Sequence, residues 1–164
     1  MPEARLHVIR RRAASPPLYL LNVVAEHGDR TRVHGMLWDG VLNASPEDDT
    51  DGPSPIEALL AGVGACFVRN LRWVADGAHV EFARIGLRLA AERDDAPPAI
   101  RRLRLEAALE TDGPAVRVTD IVERALRSGT ITRTVARAAE LEVVVHLNGA
   151  PLPVEVHLAS RRSS

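Results

Sequence analysis

Lysine is missing from this chain, and all 21 of its basic residues are arginine. Such a bias reflects the base composition of the coding sequence and points to no function. Net charge is also nearly absent: 22 acidic residues oppose the arginines, for a formal charge of −1. That excludes the basic footprint of a nucleic-acid-binding protein, so no nucleic-acid partner is expected. Cysteine occurs once, at Cys66. An internal disulfide framework is therefore impossible, which suits a reducing cytoplasm. Long apolar runs are lacking too. The longest uncharged one, Ala58 to Val68, falls short of the roughly 20 residues that cross a bilayer. The amino terminus has no signal-peptide core, and the expectation is a cytoplasmic protein without membrane contact.

Several chemistries are excluded in the same way. The histidines His7, His27, His34, His79, His146 and His157 show no paired ligand spacing, and with a single thiol no zinc site is expected. Asp48, Asp49 and Asp51 stand in an acidic loop, Asn43 to Gly52, but without the spaced ligands of a calcium loop. No metal and no cofactor are expected. A serine-hydrolase elbow is absent. A cysteine–histidine hydrolase has no positive support, although its histidine could come from anywhere in the fold.

What is present centres on Gly52 to Ala78, which the spacing predicts as a long helix. Pro53 and Pro55 stand at its front, where a missing N–H costs nothing. Ser54 and Glu57 have capping-box spacing, and a carboxylate suits the positive end of the dipole. Ile56, Leu59, Leu60, Val63, Phe67, Leu71 and Val74 recur at three- and four-residue steps and form one apolar face. Asp76-Gly77 marks the end. Cys66 falls in the middle, one turn from Gly62 and Val63 and one turn from Arg69 and Asn70. The small residues Ala61, Gly62, Gly64 and Ala65 precede it. Glycine costs roughly 1 kcal/mol against alanine inside a helix, so the bare backbone implies a close crossing that sets the cysteine at a buried seam.

The rest of the chain reads as strands and shorter helices around that element. Residues 1–17 form a basic, proline-ended tail whose Arg10-Arg11-Arg12 run is solvated. Leu18 to Ala25 and Thr31 to Leu37 read as a hairpin turned at His27-Gly28-Asp29, with a further turn at Asp39-Gly40. After the long helix, His79 to Ala91 alternates with a parity change at Ala83-Arg84 that suggests a bulge. Asp94 to Pro98 turns the chain into a second alternating strand, Ile100 to Leu109, with one buried and one wet face. Thr119 is expected to cap a second helix ending at Ser128-Gly129, and a short third helix covers Ile131 to Ala138. Leu141 to Leu147 and Val154 to Leu158 close the fold as strands around Asn148-Gly149. The expectation is one α+β domain over residues 18–159, antiparallel strand pairs around a long central helix and a second helix, with a short tail at 160–164.

The run Gly52-Pro53-Ser54-Pro55-Ile56-Glu57-Ala58-Leu59-Leu60, followed by Gly62-Val63-Gly64-Ala65-Cys66-Phe67, resembles the central helix of the OsmC/Ohr family of organic hydroperoxide reductases. The likeness covers roughly Leu18 to Leu158 in element order. It implies the OsmC-like fold, an intertwined homodimer with the long helices at its centre, and a peroxidatic role for Cys66. Only a thiolate attacks a peroxide oxygen, and attack leaves a sulfenic acid that a second thiol must resolve. The family's resolving cysteine, followed by a proline, aligns with Gly129 and Thr130, ahead of the matching Thr134-Val135. With no second cysteine anywhere, the usual intramolecular disulfide cannot form. The resemblance also implies an activating arginine in the early hairpin, matched by Arg30 with Arg32 as a rival. The glutamate that pairs with it in the family is replaced by Ile56, and Glu57 is displaced by one residue, about 100° around the helix.

Two functions remain. In one, Cys66 is the sole peroxidatic thiol, activated by Arg30 or Arg32 and assisted by Glu57. It would reduce a small apolar hydroperoxide and be regenerated by an external thiol reductant. In the other, the fold is kept without the redox cycle, and the protein binds a small apolar ligand or serves a structural role.

Overall fold

The computed structural model describes residues 21–25, 30–35, 39–43 and 52–155. The basic tail, its arginine run, the turn at His27-Gly28-Asp29, Asp48, Asp49 and Asp51 of the acidic loop, residues 156–158 of the last expected strand, and the carboxyl-terminal tail lie outside the described residues. The chain divides into two compact units, Met1–Ser54 and Pro55–Ser164.

The first unit holds three strands, β1 (Leu21–Ala25), β2 (Arg30–Gly35) and β3 (Asp39–Asn43), in an antiparallel sheet of that order. The expected hairpin is the β1/β2 pair, with Val23 opposite Val33. Asp39-Gly40 is not a turn. Asp39 pairs with His34 and Gly40 with Val33, so the dipeptide opens a third strand.

The second unit begins with α1 (Pro55–Gly77), followed by β4 (Arg84–Asp95) and β5 (Pro98–Glu110). Two helices, α2 (Ala115–Ser128) and α3 (Thr130–Ala138), then lead to β6 (Glu140–Leu147) and β7 (Ala150–Leu152). The strands form one sheet in sequence order. β4/β5 and β6/β7 are antiparallel, as expected, but β5 and β6 run parallel. Parallel neighbours need a long crossover, and α2 with α3 supplies it.

One core joins these parts. α1 contributes Val63, Phe67, Leu71 and Val74, α2 contributes Val118, Ile121, Val122, Ala125 and Leu126, and β5 contributes Leu103, Leu105, Ala107 and Leu109. The helical residues recur every three or four positions and the strand residues every two, which is why each element turns one face inward. α1 is long and apolar enough to cross a membrane by length and composition alone, yet its stripe is the centre of this core. The opposite face of the sheet is charged. Arg102 bridges Glu140 of β6 at 3.2 Å and Glu92 of β4 at 3.6 Å, and Arg104 pairs with Glu142 at 3.6 Å. The hydrogen bond to Glu140, helped by the charges of Glu140 and Glu92, holds the Arg102 guanidinium above its ordinary value.

Three boundaries differ from expectation for local reasons. α1 ends at Gly77, as the Asp76-Gly77 signal predicts, and the cap beyond it closes on His79, whose φ of 53° is left-handed. The His79 N–H donates to the Asp76 carbonyl and the Val80 N–H to the Ala75 carbonyl, the paired bonds of a Schellman cap. Residues 79–83 are therefore cap and connection, β4 starts at Arg84, and the parity change there needs no bulge. The bulge lies further on, at Glu92/Arg93. α2 begins after Pro114, five residues ahead of the expected cap at Thr119, so Thr119 is inside the helix. At the carboxyl end, Asn148 (φ 50°) and Gly149 (φ 84°) form a two-residue turn. That returns the chain at once, so β7 is Ala150–Leu152, four residues ahead of the expected start at Val154, which itself lies outside any strand.

Candidate active site

Cys66 sits near the middle of α1, where the core stripe meets the outer side of the helix. Val63 and Phe67 beside it are fully buried, Ala65 and Arg69 are exposed, and Cys66 itself is half-buried. The row through Cys66 along the helix runs from Leu59 through Gly62 to Asn70 and Trp73, following the three- and four-residue spacing of neighbours on one face. It ends on two uncovered apolar side chains, Leu59 at 39% and Trp73 at 69% exposure. The Asn70 side chain folds back on this row. Its Nδ2 donates to the Cys66 carbonyl at 2.7 Å and lies 3.4 Å from the Cys66 Sγ.

The small-residue run ahead of the cysteine does two different things. A Cβ on Gly64 would come within 3.1 Å of Leu89 Cδ1 and 3.5 Å of Leu87 Cδ1, so this glycine lets α1 settle on β4. The close approach is to a strand and lies two residues from Cys66, about 200° around the helix from the sulfur's own row. Around Gly62, by contrast, no described atom lies within 4 Å of where a Cβ would be.

Gly129, which the resemblance sets at the place of the resolving cysteine, is the buried N-cap of α3. A Cβ here would stand 2.9 Å from Thr132 Oγ1, 3.2 Å from Thr132 Cβ and 3.4 Å from the Ala125 carbonyl oxygen. The seat is filled by Thr132, which is wholly buried and whose hydroxyl has no hydrogen-bond partner among the described residues. Thr130 follows in the first turn of α3, where its carbonyl accepts from Thr134 Oγ1 at 2.9 Å.

The other expected site residues are placed apart from the sulfur or in the other unit. Glu57 is exposed in the first turn of α1. Nine residues of helix separate it from Cys66, which puts it roughly 13 Å along the axis and about half a turn around it. Arg30 and Arg32 belong to β2, where Arg30 pairs with Asn43 and Arg32 with Val41. Two positions apart on a strand, they share a face. Their side chains lie outside the described residues.

A groove of about 720 Å³ lies elsewhere, lined by Glu81, Glu110, Thr111, Asp112 and Asn148 among others, and Cys66 takes no part in it. Its floor is structural: the Asn148 side chain accepts from the Thr111 N–H at 3.1 Å and donates to the Thr111 carbonyl at 2.9 Å. Among the described residues, no three His, Cys, Asp or Glu side chains gather as a metal site requires. Asn70, one turn from Cys66 in the sequence but without an expected role, is brought against the sulfur. Its signal was the four-residue spacing from Cys66 on a single helix.

Residues 47–144, more than half of the chain, match the family described as OsmC-like protein. The chain belongs to that family. Several solved structures resemble this OsmC-like chain in fold. An OsmC-like protein from Mycoplasma pneumoniae is 16% identical, with a TM-score of 0.76 over 81% of this chain and 99% of that one. The organic hydroperoxide resistance protein OhrB of Bacillus subtilis is 14% identical, with a TM-score of 0.60 over 79% and 98%. An organic hydroperoxide resistance protein OsmC from Legionella pneumophila is 15% identical, with a TM-score of 0.62 over 80% and 98%. At such identities the likeness establishes the fold. No curated protein sequence matches the chain.

Proposed function

We propose that the protein is a cytoplasmic thiol peroxidase that reduces organic hydroperoxides through Cys66 alone. The thiolate of Cys66 attacks the outer peroxide oxygen. An S–O bond forms as the O–O bond breaks, and the departing alkoxide takes a proton to leave as the alcohol. The sulfenic acid then condenses with an external thiol, releasing water and leaving a mixed disulfide. A second external thiol displaces Cys66 and carries off the disulfide. One hydroperoxide and two thiols thus give one alcohol, one disulfide and water.

The observation that carries this reading is the half-buried Cys66 at the expected place in the central helix of an OsmC-like chain. An external reductant follows from the single cysteine. The apolar row around the sulfur, with Leu59 and Trp73 uncovered, suits a fatty or aromatic hydroperoxide and a second subunit lying alongside, and we assign the working form to a homodimer. Arg30 or Arg32 is proposed as the cation that favours the thiolate. Glu57, far around the helix, is proposed as the carboxylate that complements the dipole of α1.

The test is a single turnover. Protein treated with one equivalent of cumene hydroperoxide and a sulfenic-acid trap is expected to gain the trap at Cys66, while Cys66→Ala gains nothing. An untrapped, fully reduced thiol in the parent would reject the reading. The second reading, a ligand-binding or structural protein without turnover, draws its support from Gly129, where the resolving thiol has been replaced by a position with no room for a side chain.

A further inference from the structure

The amide of Asn70 reaches two acceptors one helical turn back, the Cys66 carbonyl at 2.7 Å and the Cys66 sulfur at 3.4 Å. An asparagine amide has two N–H donors, so one atom serves both. The assignment of nitrogen and oxygen at this amide follows from chemistry. With the group flipped, Oδ1 would face the Cys66 carbonyl oxygen across 2.7 Å, lone pair against lone pair. The atom beside the sulfur is therefore a donor, and the sulfur is its acceptor. A hydrogen bond is stronger when one partner is ionised, so this N–H is worth most when the sulfur carries the negative charge that attack requires. The donor is also local. It belongs to the same helix, four residues on, and its reach to the sulfur does not depend on where the guanidinium groups of β2 lie.

We propose that Asn70 is a catalytic residue, donating an N–H to the Cys66 sulfur and holding it as an acceptor, aimed along the outer row of α1. The proposal rests on the thiol chemistry proposed above and adds to it a group that no arginine replaces. In the step itself the sulfur's electron pair forms the S–O bond, the O–O bond breaks, and the alkoxide is protonated by solvent. The amide keeps both its protons throughout.

The experiment compares the full-length parent with Asn70→Ala, Asn70→Asp and the blank Cys66→Ser, near neutral pH. For each, the rate of Cys66 alkylation by iodoacetamide, the rate of thiol loss to cumene hydroperoxide and the melting temperature are measured. Asn70→Ala removes the donor and favours the helix, so it is expected to melt no lower than the parent yet to alkylate about tenfold more slowly, the loss of one charge-assisted hydrogen bond. Asn70→Asp keeps the shape, turns an acceptor with a like charge toward the sulfur, and is expected to be slower still. A purely structural role would lower the melting temperature without that order of rates. Alkylation rates of both variants within twofold of the parent would overturn the proposal. If the order of alkylation rates holds but hydroperoxide consumes no thiol in the parent, the peroxidase reading fails and the donor role of Asn70 stands.

Discussion

At the scale of single residues, Gly129 and Thr132 form a crowded, buried pair. A buried hydroxyl without a partner costs about 1–3 kcal/mol, and Thr132 Oγ1 is such a group. Thr132→Val keeps the shape and removes the orphan, so urea unfolding is expected to show about 1 kcal/mol of added stability. A loss instead would mean the hydroxyl is bonded in solution. Gly129→Ala is expected to cost about 1–3 kcal/mol, because its Cβ meets Thr132 Oγ1 at 2.9 Å. In a Thr132→Ala background that cost should shrink, since the atom in the way is gone, and a double-mutant cycle measures the difference. Equal costs in both backgrounds would show that the crowding comes from elsewhere.

Among the elements, α1 carries Cys66 and its end depends on one strained residue. His79 closes the helix at φ 53°, a conformation that costs a residue with a Cβ roughly 1 kcal/mol or more and glycine little. His79→Gly is therefore expected to stabilise the protein by about 0.5–1 kcal/mol in thermal or denaturant unfolding. A destabilised variant would contradict the cap. The same position shows what was legible in the sequence. The stripe Val63, Phe67, Leu71 and Val74, and the alternation Leu103, Leu105, Ala107 and Leu109, are periodic patterns carried by burial, and they give the helix and the strand directly. The closing residue could not be read that way, because a histidine in the left-handed region is set by the cap bonds to Asp76 and Ala75 and not by propensity. Likewise the parallel join of β5 to β6 is a property of the crossover through α2 and α3. Asp39-Gly40 and Ala150–Leu152 went unrecognised because strand partners, not local composition, extend the ladder there. Of the site, Cys66 stood out by spacing and by being alone, whereas the amide of Asn70 came into view only as distances.

The whole molecule joins an OsmC-like fold to a single thiol. The uncovered Leu59 and Trp73 lie on the row of the sulfur, and a second copy would bury them. Sedimentation equilibrium is expected to return twice the chain mass, and a monomer at micromolar concentration would remove the homodimer. Turnover without a second cysteine is the central claim, and it is tested most directly by following an organic hydroperoxide in the presence of excess dithiol, with the parent protein and with Cys66→Ala. Catalytic consumption by the parent, many equivalents per chain, is expected, with only the background rate for the variant. Equal background loss in both would contradict it.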